Sequence, residues 1–401
     1  MPDLHIPLNA STFDQEEIDA ACDVLRSGFV TMGKLCRKFE QIFAEYFGVR
    51  NALFVNSGSS ANLLAFFALA NHAVPPTEGR CRMLPGSEVI VPAVTWSTTV
   101  WPIVQAGAVP VLVDCNPETL QMDVAAAEKA ISEKTVAICP VHVLGNAVEM
   151  TPILKMAADH GLWVIEDTCE ALGTSQSGKL VGTFGHLATF SFFFSHHITT
   201  IEGGMIVTDD DVLAELLRVL RAHGWSRHLE NRQSVEREFP DIDPQYLFIN
   251  TGFNLRPTEI NAAFGIHQLP KLERFNIRRI EIANSWIESF ASLTEAGLLS
   301  PMKTTKDTRS TWFGFPVMLR DRVTRDRLKR HLETNEIETR PIICGNLARQ
   351  PAFRSIPHRI AGSLEGADQV MDRGIYWGSH PVMSDDEVEY VSRTVKGFFE
   401  A

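Results

Sequence analysis

Three short segments carry residues whose types and spacing suit chemistry on a bound ligand. In "NALFVNSGSSANLLAF", residues 51–66, a strand gives way at Asn56 to a helix opening on Ser57, Gly58, Ser59 and Ser60. Free N–H groups at a helix N-terminus bind phosphate, and glycine allows close approach to the backbone; serines here also serve as ordinary helix caps. In "LWVIEDTCEALG", residues 162–173, an apolar strand delivers Glu166 and Asp167 at its carboxyl end, where open α/β sheets keep their ligands. An acid there either holds a protonated ring nitrogen of a cofactor or caps the next helix. In "ATFSFFFSHHITTIEGGMIVTD", residues 188–209, a strand runs into Ser195, His196 and His197, then Glu202, Gly203, Gly204 and a new strand. Adjacent histidines point in different directions, so at most one of them serves a given site. The pair also reads as solvated or as a weak metal ligand.

Placing these segments together requires a sheet. Apolar runs at 52–56, 88–92, 109–114, 136–141, 162–167, 188–193 and 205–209 alternate with helically spaced segments such as 58–73 and 123–131. That pattern predicts a mainly parallel α/β domain over residues 1–270. A polar stretch at 226–245, helices through 258–293 and a strand at 312–319 follow, predicting a smaller α+β domain over 271–401. The composition fits a compact soluble chain: 401 residues, 45% hydrophobic and 21% charged, mean hydropathy -0.02. With 37 Lys+Arg against 49 Asp+Glu the net charge is -12, and no basic run invites nucleic acid or acidic membrane. The apolar stretch 61–70 falls short of the roughly 18 residues of a membrane span, and "MPDLHIPLNA" lacks the pattern of a signal segment, so a cytoplasmic protein is expected. Seven scattered cysteines, none at CxxC spacing, point to reduced thiols and to no metal or iron–sulfur cage.

In order along the chain, "TMGKLCRKFEQIFAEYFG", "NSGSSANLL", "VPAVTWSTTVWPI", "EDTCEALG", "GTFGHLATFSF", "EGGMIVTDD", "RAHGW" and "GFNLRPTEINAAFG" resemble one family. It is the sugar aminotransferase family of pyridoxal 5′-phosphate (PLP) enzymes named for DegT, DnrJ, EryC and StrS. The resemblance spans nearly the whole chain and implies the type I aspartate aminotransferase fold, a bound PLP and a homodimer with composite active sites.

One departure from that family sets the expected chemistry. There, a lysine six residues before the glutamate of the EGG loop carries the cofactor as a Schiff base; here that position is His196, and residues 180–270 contain no lysine. Lys179 falls in a turn that the resemblance places outside the site. Histidine moves protons near neutral pH but forms no stable imine. With pyridoxamine 5′-phosphate (PMP) condensed to a 4-keto sugar, proton transfer through His196 expels the C3 hydroxyl in place of amination. Within the family this resembles the iron–sulfur-independent 3-dehydratases of the colitose, O-antigen and lipopolysaccharide branch, which act on GDP-4-keto-6-deoxy-D-mannose and restore PMP with L-glutamate. The reductase-dependent class that acts on CDP-sugars carries clustered cysteines after the HG motif, and residues 225–253 have none. The alternatives are a dehydratase of another nucleotide-linked 4-keto sugar, or a catalytically silent scaffold that binds a sugar nucleotide.

The resemblance also implies residue roles. Gly58, Ser59 and Ser191 should cradle the cofactor phosphate, Trp96 should stack on its ring, and Asp167 should pair with the ring nitrogen. Glu170, where the aminotransferases usually have glutamine, should lie at the ring's hydroxyl side. Asn254 should reach the phosphate of the other subunit, and His223 and Arg340 are candidates for contacting sugar or glutamate. Each has a plainer reading: Trp96 as core, His223 as a helix C-terminal cation, Arg340 as a surface ion pair.

Overall fold

The computed structural model describes residues 5–74, 79–229 and 231–400. Strands β1 (Asn51–Val55), β2 (Glu88–Pro92), β3 (Val109–Val113), β4 (Thr135–Ile138), β5 (Trp163–Asp167), β6 (Leu187–Ser191) and β7 (Gly204–Thr208) form where the apolar runs predicted them. After the helices come β8 (Leu299–Pro301), β9 (Phe315–Leu319), β10 (Thr339–Arg340), β11 (Arg359–Ile360) and β12 (Gly374–Trp377). The large sheet runs β1-β7-β6-β5-β4-β2-β3-β11, and a smaller antiparallel sheet runs β8-β9-β12-β10. From β6 to β11 neighbouring strands of the large sheet are parallel, while β7 lies antiparallel between β6 and β1. That reversal follows from the connection: residues 192–203 form the histidine turn in place of the crossover helix a parallel return requires. The predicted strand at 312–319 begins only at Phe315, because Trp312 adopts a left-handed backbone with φ 47° that no strand accommodates.

The two halves of the chain interlock across residue 270. Ile6 bridges Ile337 beside the small sheet, and β11 from the C-terminal half adds the last strand of the large one.

Helices α1 (Gln15–Ser27), α2 (Lys34–Phe47), α3 (Gly58–Ala70), α4 (Ser97–Gln105), α5 (Asp211–Arg221), α6 (Glu259–Gln268) and α7 (Leu272–Ser289) set the geometry around the site. In α2, Phe39, Phe43 and Phe47 recur every four residues and so share one face. That face meets Phe54 of β1, Phe190 of β6 and Phe192, in ring contacts of 4.8–5.5 Å. Because strand side chains alternate, burying Phe190 and Phe192 on this side turns Ser191 to the other. α3 is apolar along its length and sits in the main core, with Asn62 as its one buried amide.

Buried Glu259, the first residue of α6, caps α2: its Oε1 accepts from the N–H groups of Gly33 and Cys36, and Oε2 from that of Leu35, each at 2.9 Å. Glu259→Ala strands three enclosed donors and should lower unfolding stability by about 3 kcal/mol. Glu259→Gln, which keeps one acceptor, should cost less. Urea midpoints at constant slope check this; equal losses in the two variants would refute the capping account.

Candidate active site

A cavity of about 380 Å³ opens at the carboxyl ends of β5 and β6, walled by Gly58, Ser59, Trp96, Asp167, Glu170, Ser191 and His196 among others. Seven of the residues singled out from sequence therefore meet in one place. Asn254, His223 and Arg340 do not line it.

The end of β5 fixes the chemistry by alternation. Glu166 turns inward, fully buried, and accepts from the N–H groups of Gly182, Phe184 and Gly185 at 2.6–2.8 Å. His142 Nε2 adds a fourth contact at 3.2 Å; since His142 Nδ1 accepts from Val148 N–H at 3.1 Å, Nε2 carries the proton and donates. Asp167 turns the other way, into the cavity wall. Its Oδ2 accepts from Asn62 Nδ2 at 2.9 Å and from the Thr99 hydroxyl at 2.8 Å, and Oδ1 accepts from Cys169 N–H at 3.2 Å. The donors are themselves oriented: the Thr189 hydroxyl donates to Asn62 Oδ1 at 2.7 Å, and that of Thr95 to Thr99 Oγ1 at 2.8 Å. This relay directs donors alone at the Asp167 oxygens and suits pairing with a protonated ring nitrogen. The sequence reading missed Asn62, Thr95, Thr99 and Thr189. The lone amide in the apolar run of α3 was the available signal.

At the N-terminus of α3, the Ser57 hydroxyl caps Ser60 N–H at 3.0 Å, leaving the first-turn N–H groups of Gly58 and Ser59 toward the cavity. Ser59 Oγ donates to Thr98 Oγ1 at 2.9 Å, tying α3 to the first turn of α4. A Cβ on Gly58 would stand 2.5 Å from Ser191 Cβ, so the glycine is required first by its packing on β6. Likewise a Cβ on Gly204 would meet the Ser57 carbonyl at 2.3 Å, which locks the EGG loop beneath the same turn. Two helix N-termini and Ser191 thus converge, an arrangement that fits a phosphate. Trp96, at the N-cap of α4, is 59% exposed and lines the cavity, so it is not core.

The two histidines part company. His196 lines the cavity, and its Nδ1 is enclosed without a partner. His197 is buried outside the cavity, and the ring of Phe313 packs against both, at 5.0 and 5.7 Å between centroids. Burial, reinforced by the charge of Arg279, holds His196 down to about 3, and the same causes hold His197 well below the ordinary imidazole value. Glu170 accepts from Leu144 N–H at 2.9 Å, and burial pushes its carboxyl up to about 7, with Asp167 adding to the rise. Ser195, Glu202, Phe313 and Tyr376 complete the wall. Among the described residues no trio of His, Cys, Asp or Glu could hold a metal ion, and no helix is long and apolar enough to cross a membrane.

The remaining candidates lie apart. Asn254 bridges Ala222 and accepts from Arg256 Nε at 3.0 Å. His223, left-handed at φ 64°, packs edge-on to Trp225, which stacks on Phe248 and has the Arg227 guanidinium 4.5 Å over its ring. Arg340 stands opposite Tyr376 in the β10–β12 register, and its guanidinium donates to the Thr339 carbonyl.

A model of the DegT/DnrJ/EryC1/StrS aminotransferase family matches residues 11–396. The GDP-4-keto-6-deoxy-D-mannose 3-dehydratase of Yersinia pseudotuberculosis is 36% identical over 398 residues, 98% of each chain. An E. coli GDP-4-keto-6-deoxy-D-mannose-3-dehydratase with bound hydrated PLP superposes with a TM-score of 0.89 at 34% identity, covering 98% of this chain and 99% of that one. A GDP-4-keto-6-deoxymannose-3-dehydratase carrying a trapped PLP-glutamate geminal diamine gives 0.88 at 34%, covering 97% and 100%. The fold is the aspartate aminotransferase type expected from the sequence.

The depressed histidines make acid destabilising. His196, His197, His228 and His380 resist protonation when folded, whereas in the unfolded chain they take protons below about pH 6.5. Above that pH neither state is charged and nothing is lost; below it stability drains away until the folded values are reached. Glu170, raised from 4.5 to about 7, and Glu202, raised from the same value by partial burial, work in the opposite sense, two groups against four. The melting temperature should therefore fall by several degrees from pH 7 to pH 5 in calorimetry, and a flat or rising curve would contradict the assignment.

Proposed function

Because this chain belongs to the DegT/DnrJ/EryC1/StrS aminotransferase family, with a histidine on the cavity wall where that family's cofactor lysine would stand, we propose that it is a PLP- and PMP-dependent sugar 3-dehydratase. Its substrate on this reading is a nucleotide-linked 4-keto-6-deoxy sugar, GDP-4-keto-6-deoxy-D-mannose, and L-glutamate returns the cofactor to its amine form. The observation that carries the reading is His196 itself, on the cavity wall with no lysine among the residues that line it.

The residues present fit the cofactor. The N-terminus of α3 at Gly58 and Ser59, with Ser191, would hold its phosphate; Asp167 would pair with its ring nitrogen; Trp96 would cover one ring face; Glu170 would stand at the ring hydroxyl. Bound there, the cofactor supplies an electron sink and, as the amine, the two electrons that deoxygenation consumes. His196 Nε2 would take up the proton released as the substrate is activated and deliver it to the departing C3 hydroxyl, which leaves as water. With no amine at position 196 the chain forms no stable imine with the cofactor, and the proton would go to the departing C3 hydroxyl rather than to the sugar carbon, so elimination replaces amination. Glu170, neutral below about pH 7, is able to donate a hydrogen bond while the oxygens of Asp167 accept three, so two acids three residues apart do opposite work.

We place His223, Asn254 and the Trp225, Phe248 and Arg227 cluster at the mouth of the partner's cavity in a homodimer. They are too far from their own cavity to line it, yet aromatic faces with a guanidinium above them suit a nucleobase and diphosphate. Arg340, at the rim beside Tyr376, is placed to receive a carboxylate of glutamate.

Incubation in air with PLP, L-glutamate and GDP-4-keto-6-deoxy-D-mannose, without iron or reductase, should yield ammonia and a 3-deoxy-4-keto sugar by mass spectrometry. UDP- and dTDP-linked 4-keto sugars should be poorer substrates; activity appearing only after iron–sulfur reconstitution would overturn the reading. Borohydride treatment of the PLP-loaded protein followed by denaturation should leave no cofactor on the chain, and a phosphopyridoxyl-lysine peptide in good yield would refute the linkage. His196→Asn should bind cofactor yet lose about 100-fold or more of turnover, whereas His197→Asn should chiefly lower stability. If the two variants behaved alike, the assignment of the base would be wrong.

A further inference from the structure

Behind the cavity wall lies a buried cation with no acid to balance it. Arg279, on α7, is 2% exposed, and its Nη1 donates only to backbone carbonyls: Phe313 at 3.1 Å, Ser379 at 3.3 Å and Trp312 at 3.4 Å. Its Nε has no acceptor, and no carboxylate pairs with it among the described residues. Burying a guanidinium this way is costly, and carbonyl dipoles offset only part of the loss. The segment it grips is the one that walls the site. Trp312 holds its left-handed turn with the Ser379 hydroxyl also donating to its carbonyl at 2.8 Å, and next along the chain the Phe313 ring lies against His196.

We propose that Arg279 is a positioning residue for His196: bolted to the carbonyls of Trp312, Phe313 and Ser379, it sets the Phe313 ring against the imidazole and places a fixed positive charge behind that ring. This rests on the reading of His196 as the base, and deepens it by naming what keeps that base unprotonated. A proton acceptor enclosed near carboxylates would otherwise be drawn toward its charged form. The titratable side chains sharing the cavity with His196 are Asp167, Cys169 and Glu170 beyond β5, Glu202 in the EGG loop and Tyr376 on β12. Outside the cavity lie Arg279, His197 and His380, and Arg279 disfavours charge on both of those histidines as well. Two further imidazoles with no hydrogen-bond partner at either nitrogen thus stay neutral beside the guanidinium, while Glu387 acts on His380 in the opposite sense to Arg279. Its effect on His196 adds to that of burial, which is the larger cause.

The test follows His196 in the cofactor-free dimer or monomer, whichever the purified protein forms, by NMR of labelled histidine, with its resonance assigned by loss in His196→Asn. In the wild type the imidazole should stay neutral down to about pH 5, well below the ordinary value of about 6.5. Arg279→Gln keeps a donor for the carbonyls but removes the charge, and should raise the midpoint by about one pH unit or more. Arg279→Lys keeps the charge and should leave the midpoint near that of the wild type. A wild-type midpoint near 6.5, an unmoved midpoint in Arg279→Gln, or a Lys variant that behaves like Gln would each overturn the proposal. Should the Gln variant fail to fold, the wild-type midpoint and the Lys variant still decide. Because no cofactor or substrate is present, the outcome is independent of turnover: absence of dehydratase activity would remove the functional reading and leave this measurement standing.

Discussion

The alternation of side chains at the last two residues of β5 is the constraint on which the site depends. Glu166 and Asp167 are adjacent, so they must face opposite sides of the sheet. The inward carboxylate gathers three backbone N–H groups and one imidazole N–H, which ties the turn at 182–185 and the 142–148 segment to the strand end. Only with that end immobilised does the outward carboxylate keep a fixed position between Asn62 of α3 and Thr99 of α4. Those two hydrogen bonds then register both helix N-termini against the cavity. A slip of one residue would bring Glu166 to the cavity and bury Asp167 without donors.

Around this point the protein arranges neighbouring ionisable groups in different states. Asp167 receives donors at both oxygens and is held as an acceptor. Glu170, with one N–H donor and a low-dielectric surrounding, stays protonated to about pH 7. His196 is kept neutral by burial and by a cation outside the cavity. None of these states follows from residue type; each follows from how many donors, acceptors and charges the packing places within reach. The aromatic cluster behind β6 contributes indirectly, because by fixing Phe190 and Phe192 it decides which way Ser191 points and hence why position 58 has no room for a side chain.

The strands of the large sheet were legible because each is a short apolar run bounded by polar or glycine residues, and a run buried on both faces needs no partner to be recognised. Gly58, Asp167 and His196 were legible because each sits at a strand end or in the turn beyond one, where the chemistry of open sheets collects. What escaped was what depends on distant packing. Asn62, Thr95, Thr99 and Thr189 are ordinary polar residues until the fold brings them into one relay. Arg279 reads as one of many basic residues on an amphipathic helix, and nothing local says that its charge ends up buried. The start of β9 was misplaced because the left-handed turn at Trp312 is imposed by tertiary contacts: a Cβ on Gly145 would stand 2.5 Å from the Trp312 nitrogen, so that segment and the turn are packed to contact.

Replacing a lysine by a histidine changes more than the proton shuttle. On the proposed reading no covalent bond retains the cofactor between half-reactions, so retention rests on Asp167, the N-terminus of α3, Ser191 and the exposed face of Trp96. An electrostatic hold of this kind requires the site to be formed before the ligand arrives, since mobile donors would spend their interaction energy on becoming ordered. The relay through Thr189, Asn62, Thr99 and Thr95 meets that requirement in the protein alone, as does the collision-tight seat of Gly58 on Ser191. Trp96 is the exception, standing largely in solvent at the N-cap of α4. On the proposed reading its ring covers one face of the bound cofactor. On that reading the part of the site left least enclosed in one chain would be closed by its ligands or, in a homodimer, by the second chain.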